Sequence, residues 1–242
     1  MPLPLSELMR IYSVPGTGPS KGTPIGISAG SRPLILGTEY IRISSESGNG
    51  THYYSTVQAW NADMTKVMIG NGVVDENRLL DATNNYSLLP MRVNLNSDRV
   101  WSNIDPDIVY GISGNALYKL NVSTGQREEI YRRPNGATIA LRGKAAIPND
   151  DSKLLLYVPD DNRLVSIDLA SNRVPRPVLG ELNFTPYGDL RSGGMFLNFD
   201  HSGKWATVRV PNSSQLYRLT PDLRDIRQLG DPMCCHLSLI HI

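Results

Sequence analysis

Apolar residues in this chain fall into short runs set between clusters of Gly, Asn, Asp and Pro. No stretch sustains a helical period, and the best candidate, residues 5–12, is short and flanked by prolines. The runs are rich in β-branched and aromatic residues, the composition of strands. Lys153 to Val158 is almost continuously apolar, as in a strand covered on both faces. A polar turn from Pro159 follows, and residues 164–169 then alternate apolar with polar. Ile108 to Ile112 and Leu117 to Val122 repeat this arrangement around Gly114-Asn115, a hairpin signal.

The runs belong to a repeat. Its copies are W-N-A-D-M-T-K-V-M-I-G from Trp60, W-S-N-I-D-P-D-I-V-Y-G from Trp101, I-P-N-D-D-S-K-L-L-L-Y from Ile147 and F-D-H-S-G-K-W-A-T-V from Phe199. Each has a large apolar residue, a polar turn and a β-rich run. A second run follows at Leu79, Leu117, Leu164 and Leu216, closed by another polar turn. The starts at 60, 101, 147 and 199 lie 41, 46 and 52 residues apart. Units of this length made of short strands predict an all-β protein, a β-propeller with about four blades in this chain. We expect a native ring of about six to eight blades, within the range such rings take.

The copies resemble the WD40-like repeat of the TolB type, an aromatic followed by S-P-D-G-K, a strand, and a second strand ending in D-L-x-T-G. F-D-H-S-G-K at Phe199 and I-P-N-D-D-S-K at Ile147 match its first half; L-N-V-S-T-G at Leu120 and I-D-L-A-S-N at Ile167 match its second. The resemblance covers roughly residues 55–230, and the first copy departs from it where N-G-V-V-D-E-N lengthens the hairpin. The motif implies a fold, not an activity. Its Asp accepts backbone N–H groups and its Gly takes a positive φ, so Asp63, Asp150, Asp200 and Gly203 are turn builders.

Outside the repeats, residues 1–29 form a Pro/Gly/Ser-rich arm, and residues 30–236 are expected to hold the partial propeller. The arm contains G-T-G-P-S-K-G-T from Gly16, in which Lys21 precedes Gly22 and no helix follows. A phosphate loop needs the opposite order at a helix start. The last six residues, L-S-L-I-H-I at 237–242, are identical to the translation of a transposase adaptor used in DNA library preparation. We therefore expect a fragment whose native sequence stops near His236, and His241 is left out of the reading of the site.

The chain has 242 residues, of which 40% are hydrophobic and 19% charged, enough to build a core. A net charge of +1 gives no reason to expect a nucleic-acid partner; Lys119, Arg127 and Arg132-Arg133 read as a solvated face. No apolar run is long enough for a membrane helix. Cys234 and Cys235 are the only cysteines, and neighbouring cysteines do not form an unstrained disulfide. The five Asn-x-Ser/Thr triplets at Asn49, Asn85, Asn121, Asn183 and Asn212 are common in an Asn- and Ser-rich chain.

Few residues carry chemistry. His52 lies in G-N-G-T-H-Y-Y-S-T, a Gly-rich loop with Tyr53 and Tyr54. Tyrosine faces suit sugar rings, and histidine serves as base or ligand, so these three form the candidate ligand site. His52 is a weak catalytic candidate. His236, after Cys234-Cys235, is a weak metal candidate, because adjacent ligands do not easily reach one tetrahedral centre. His201 reads as a turn histidine. Asp150-Asp151, Asp160-Asp161 and Asp105/Asp107 read as solvated turns, lacking the oxygen spacing of a Ca²⁺ loop. No cofactor is expected. The reading that follows is a monomeric scaffold binding a protein or glycan through loops on one face. The alternatives are a carbohydrate-active propeller enzyme, a polysaccharide lyase resembling oligogalacturonate lyases, with part of its site missing, and more weakly a hydrolase whose catalytic domain follows. The resemblance also implies a periplasmic or extracellular location, given an export signal upstream.

Overall fold

A computed structural model describes residues 59–68, 78–84, 86–93, 95, 99–141, 146–191, 195–211, 213 and 215–229. The strands are β1 (Lys66–Met68), β2 (Arg78–Asp81), β3 (Ser87–Arg92), β4 (Arg99–Trp101), β5 (Ile108–Ser113), β6 (Ala116–Asn121), β7 (Arg127–Arg132), β8 (Lys153–Val158), β9 (Arg163–Asp168), β10 (Val178–Asn183), β11 (Phe196–Phe199), β12 (Ala206–Arg209), β13 (Leu216–Leu219) and β14 (Ile226–Gln228). They form four antiparallel sheets in sequence order, β1–β3, β4–β7, β8–β10 and β11–β14. The first and third sheets also have an innermost strand reduced to a single bridge, Trp60 to Val67 and Ala140 to Tyr157. Each sequence repeat is thus one blade of four strands. The boundaries expected at residues 29 and 236 fall outside the described residues.

Side-chain direction shows how the blades meet. Successive residues of a strand point to opposite faces. In β8, Leu154, Leu156 and Val158 join a cluster with Val100, Ile108, Tyr110 and Ile112 of the second blade. Leu155 and Tyr157 join a different cluster with Leu197, Phe199 and Val208 of the fourth. In the second blade, Trp101, Val109 and Leu120 turn the other way, onto Met68 and Leu79 of the first. Each middle blade is therefore covered on both faces by its neighbours, the arrangement of a fan. This explains the apolar run at 153–158, where Leu154, Leu155 and Leu156 are all fully buried. Burial of such a side chain is worth about 1.5–3 kcal/mol. It also shows that the alternation of residues 164–169 does not leave one face of that strand exposed. Leu164, Val165, Ser166 and Ile167 are all buried, because the third strand is sandwiched as tightly as the second.

Two kinds of turn lie at one end of the blades. Inner turns join the innermost strand to the second, and outer turns join the third to the fourth. Crossovers between blades and the hairpins between second and third strands lie at the opposite end. The inner turns of blades one and four are superposable in their bonding. Asn61 N donates to Lys66 O (3.1 Å) and Met64 N to Asn61 O (3.1 Å); Asp200 N donates to Trp205 O (2.9 Å) and Gly203 N to Asp200 O (3.0 Å). The side chains of Asn61 and Asp200 accept the N–H of Lys66 (2.8 Å) and Trp205 (3.1 Å). In blade three Asp151 N donates to Pro148 O (3.0 Å), and Asp150 accepts Ser152 N–H (3.0 Å). The fourth residue of these turns takes a left-handed conformation, with φ 60° at Met64, 51° at Asp151 and 66° at Gly203. A side chain in this conformation costs about 1–2 kcal/mol, yet only blade four uses glycine. Blade two departs, its inner turn being one residue longer and closed by Ser102 N to Ile108 O (3.0 Å).

Candidate functional site at the crossover end

The crossover from blade two to blade three borders a cleft of about 590 Å³ lined by Arg133–Ala137, Asp160, Asp161 and Glu181. Its shape comes from local chain chemistry. Pro134 starts a single 3₁₀ turn, and Asn135 (φ 62°) and Gly136 (φ 71°) both take left-handed backbone. This swings the chain from the outer edge of one blade to the inner edge of the next. Asp160 ties the far side down by accepting Thr138 N–H at 3.2 Å. Asn162, buried and also left-handed at φ 49°, closes the β8–β9 hairpin. Its side chain accepts Leu190 N–H (2.9 Å) and donates to Gly188 O (2.9 Å), fixing the loop that leads to blade four.

Arg133 is the centre of the cleft. Its side chain is only 11% exposed and meets Asp161 at 3.5 Å. It also donates to Glu181 through a short bond. Burial opposes its charge, but the neighbouring Tyr131 side chain and Glu181 carboxylate outweigh this and raise its pKa above the ordinary arginine value. Arg163 reaches Glu181 from the rim at 4.0 Å. Two carboxylates thus pair with one sequestered guanidinium, and Asp160 lines the same cleft. The lining offers hydrogen-bond acceptors and negative charge, and no nucleophile beside a base. Among the described residues no three His, Cys, Asp or Glu side chains gather to hold a metal ion, and no helix is long and apolar enough to cross a membrane.

His52, Tyr53, Tyr54 and His236 lie outside the described residues. His201 is exposed in its turn, with Nδ1 3.0 Å from Asn149 Nδ2 of the preceding blade. Trp101 is fully buried between blades one and two and donates its indole N–H to Ala59 O at 3.1 Å. Trp60, in the same slot of the repeat, is half-buried beside Tyr86. The pair Arg132-Arg133, read as solvated, divides: Arg132 stays outside with Glu129, while Arg133 turns inward. The pair Asp150-Asp151 divides likewise. Asp150 is exposed, but Asp151 is 6% exposed and accepts the Ser102 hydroxyl and Asn103 N–H (2.8 Å) from blade two. Burial pushes the Asp151 carboxyl above the usual carboxylate range, against those two bonds and with help from Asp150 and Asp105. Sequence alone had no signal for either inward turn, since a polar pair in a loop does not reveal which member a neighbouring blade will cover.

Comparison with known proteins agrees with this architecture. Solved structures similar to this chain include an oligogalacturonate lyase in complex with manganese, 17% identical over 74% of this chain and 53% of that one, with a TM-score of 0.53. An oligogalacturonate lyase from Vibrio parahaemolyticus is 12% identical over 74% and 53%, with a TM-score of 0.52. The chain carries the β-propeller fold. A putative 6-phosphogluconolactonase from Bacteroides uniformis is 13% identical over 82% of this propeller and 62% of its own chain, with a TM-score of 0.51. At these identities the likeness is one of fold. This propeller spans about half the length of the two lyases. No family model and no curated protein matches it.

Proposed function

We propose that this propeller is a binding scaffold that takes a protein or carbohydrate ligand through its crossover end, with the cleft around Arg133 as the contact point. The observation that supports this is the convergence of the crossover, a hairpin and β10 on one polar cleft, held by blades packed on both faces. Loops on a rigid frame are where binding groups are generally found. The carboxylates of Asp160, Asp161 and Glu181 suit hydroxyl or ammonium groups of a ligand and repel carboxylates. A polyuronate chain, the substrate class of the lyase alternative, is therefore a poor match for this cleft. That alternative relies on His52 and His236.

The test is calorimetric titration of the full chain with neutral oligosaccharides, aminosugar oligomers and lysine-containing peptides, repeated with Glu181→Gln. One of these classes is expected to bind, and Glu181→Gln to weaken it roughly tenfold while circular dichroism shows the fold retained at the assay temperature. Binding of none, or binding untouched by the substitution, would remove the cleft from consideration. Release of unsaturated uronide from oligogalacturonate, followed by ultraviolet absorbance, would favour the lyase instead.

A further inference from the structure

We propose that the opposite end of the propeller is a second interaction surface, built on Met64 and Ile104 and shaped for a protein segment that carries an apolar side chain flanked by lysine or arginine. Met64 is 68% exposed and Ile104 64%, the two most exposed large apolar side chains among the described residues. They occupy the tips of the inner turns of neighbouring blades. Those turns touch, since Asn61 Nδ2 donates to Pro106 O at 2.9 Å and Lys66 Nζ meets Asp107 at 2.8 Å. Single exposed apolar residues are ordinary; these two stand on neighbouring turns that are bonded to each other.

Met64 adds a second consideration. It stands in the left-handed slot that blade four fills with Gly203. The fold gains nothing from methionine there: the backbone conformation disfavours it and its side chain is left in water. Burial of the side chain against a partner would remove the second penalty and so offset the first. Methionine is well suited to this, being unbranched and polarisable.

The surroundings select the partner. Asp63 and Asp105 are exposed beside the two tips, and Asp107 is partly exposed. Bonds from Thr65 hold the Asp63 carboxyl below its usual range, and Lys66 does the same for Asp107, so both stay ionised at neutral pH. Lys66, the cation at this spot, is committed to Asp107. With Asp107 paired to Lys66, Asp63 and Asp105 leave an anionic rim around an apolar centre, which is complementary to a cationic amphipathic polypeptide and unfavourable towards an anionic lipid surface or a second identical copy.

The test uses the full chain and three short synthetic peptides, of alternating Leu and Lys, Leu and Glu, and Ser and Lys, followed by fluorescence anisotropy. The Leu/Lys peptide should bind roughly tenfold or more tighter than both others. The double variant Met64→Gly/Ile104→Ser should lose that preference, while Glu181→Gln at the cleft keeps it. Both side chains are exposed, so the double variant should keep the parent's melting temperature, and its loss of binding is then not loss of fold. Equal binding of the Leu/Glu peptide, or unchanged binding by the variants, overturns the proposal. Self-association in sedimentation that the double variant abolishes would also overturn it, assigning the surface to a second copy.

Discussion

Asp151 accepts the hydroxyl proton of Ser102 across the seam between blades two and three. Ser102 Oγ already accepts Ile104 N–H (3.2 Å) and Asp105 N–H (2.8 Å), so its one proton is committed to the carboxylate. Both oxygens of Asp151 are used as acceptors, in a place where burial favours the uncharged form.

This has a definite pH signature. A carboxyl whose pKa is raised on folding contributes stability below its unfolded value, near 3.9, that is lost as pH rises through the folded value. Asp151→Gly removes the buried charge and suits the positive φ, but leaves the Ser102 hydroxyl and Asn103 N–H without their acceptor. Relief of the backbone is worth about 1–2 kcal/mol, whereas each donor left without an acceptor costs about 1–3 kcal/mol, so the variant should be the less stable of the two in acid. The variant should then gain on the parent between pH 4 and 7, as thermal unfolding at both values would show. A difference independent of pH would mean that Asp151 does not titrate in this interval. Ser102→Ala strips a donor from the buried carboxylate and should destabilise by about 1–3 kcal/mol.

Gly180 permits the third and fourth blades to approach. A methyl group there would overlap the backbone carbonyl of Asp222 in the last outer turn. Gly180→Ala should therefore cost about 1–3 kcal/mol, measured by urea unfolding. Gly111→Ala is the contrast. Its methyl would meet Leu95 Cδ1 at 2.6 Å, Leu95 Cβ at 3.1 Å and Arg99 Cβ at 3.3 Å, side-chain atoms that yield more readily than the backbone carbonyl facing Gly180, so the loss should be smaller.

Equal positions in the repeat are not equal in energy. Trp101→Ala empties a fully enclosed site and should cost about 3–5 kcal/mol. Trp60→Ala, at the half-buried counterpart, should cost clearly less in the same denaturation experiment.

Asn162 holds the loop to blade four through two side-chain bonds while lying 3% exposed. Asn162→Ala leaves Gly188 O and Leu190 N unpaired and puts alanine at positive φ. A loss of about 2–4 kcal/mol follows. Hydrogen exchange at Leu190 should rise before global unfolding does.

The repeat made much of the fold readable. Its spacing located the blades, the aspartates capped the turns as their chemistry requires, and Gly203 took the conformation its place in the motif implied. The left-handed slots at Met64 and Asp151 were not readable, because methionine does not advertise a positive φ and aspartate, though enriched there, fills ordinary turn positions as well. The cleft was hidden for a different reason. Arg133, Asp161 and Glu181 are far apart in sequence and are joined by how blades stack, which a repeat unit viewed alone does not encode. The candidates His52, Tyr53, Tyr54 and His236 lie outside the described residues and stand as proposals.

Leu155 and Leu156 are bonded to each other, yet they look onto different blades. Substitutions at this adjacent pair should combine almost additively, whereas Leu155 with Val208, or Leu156 with Ile112, should show interaction energies. Thermodynamic kinship in this molecule runs sideways between copies of the repeat, and chain neighbours of β8 are near strangers.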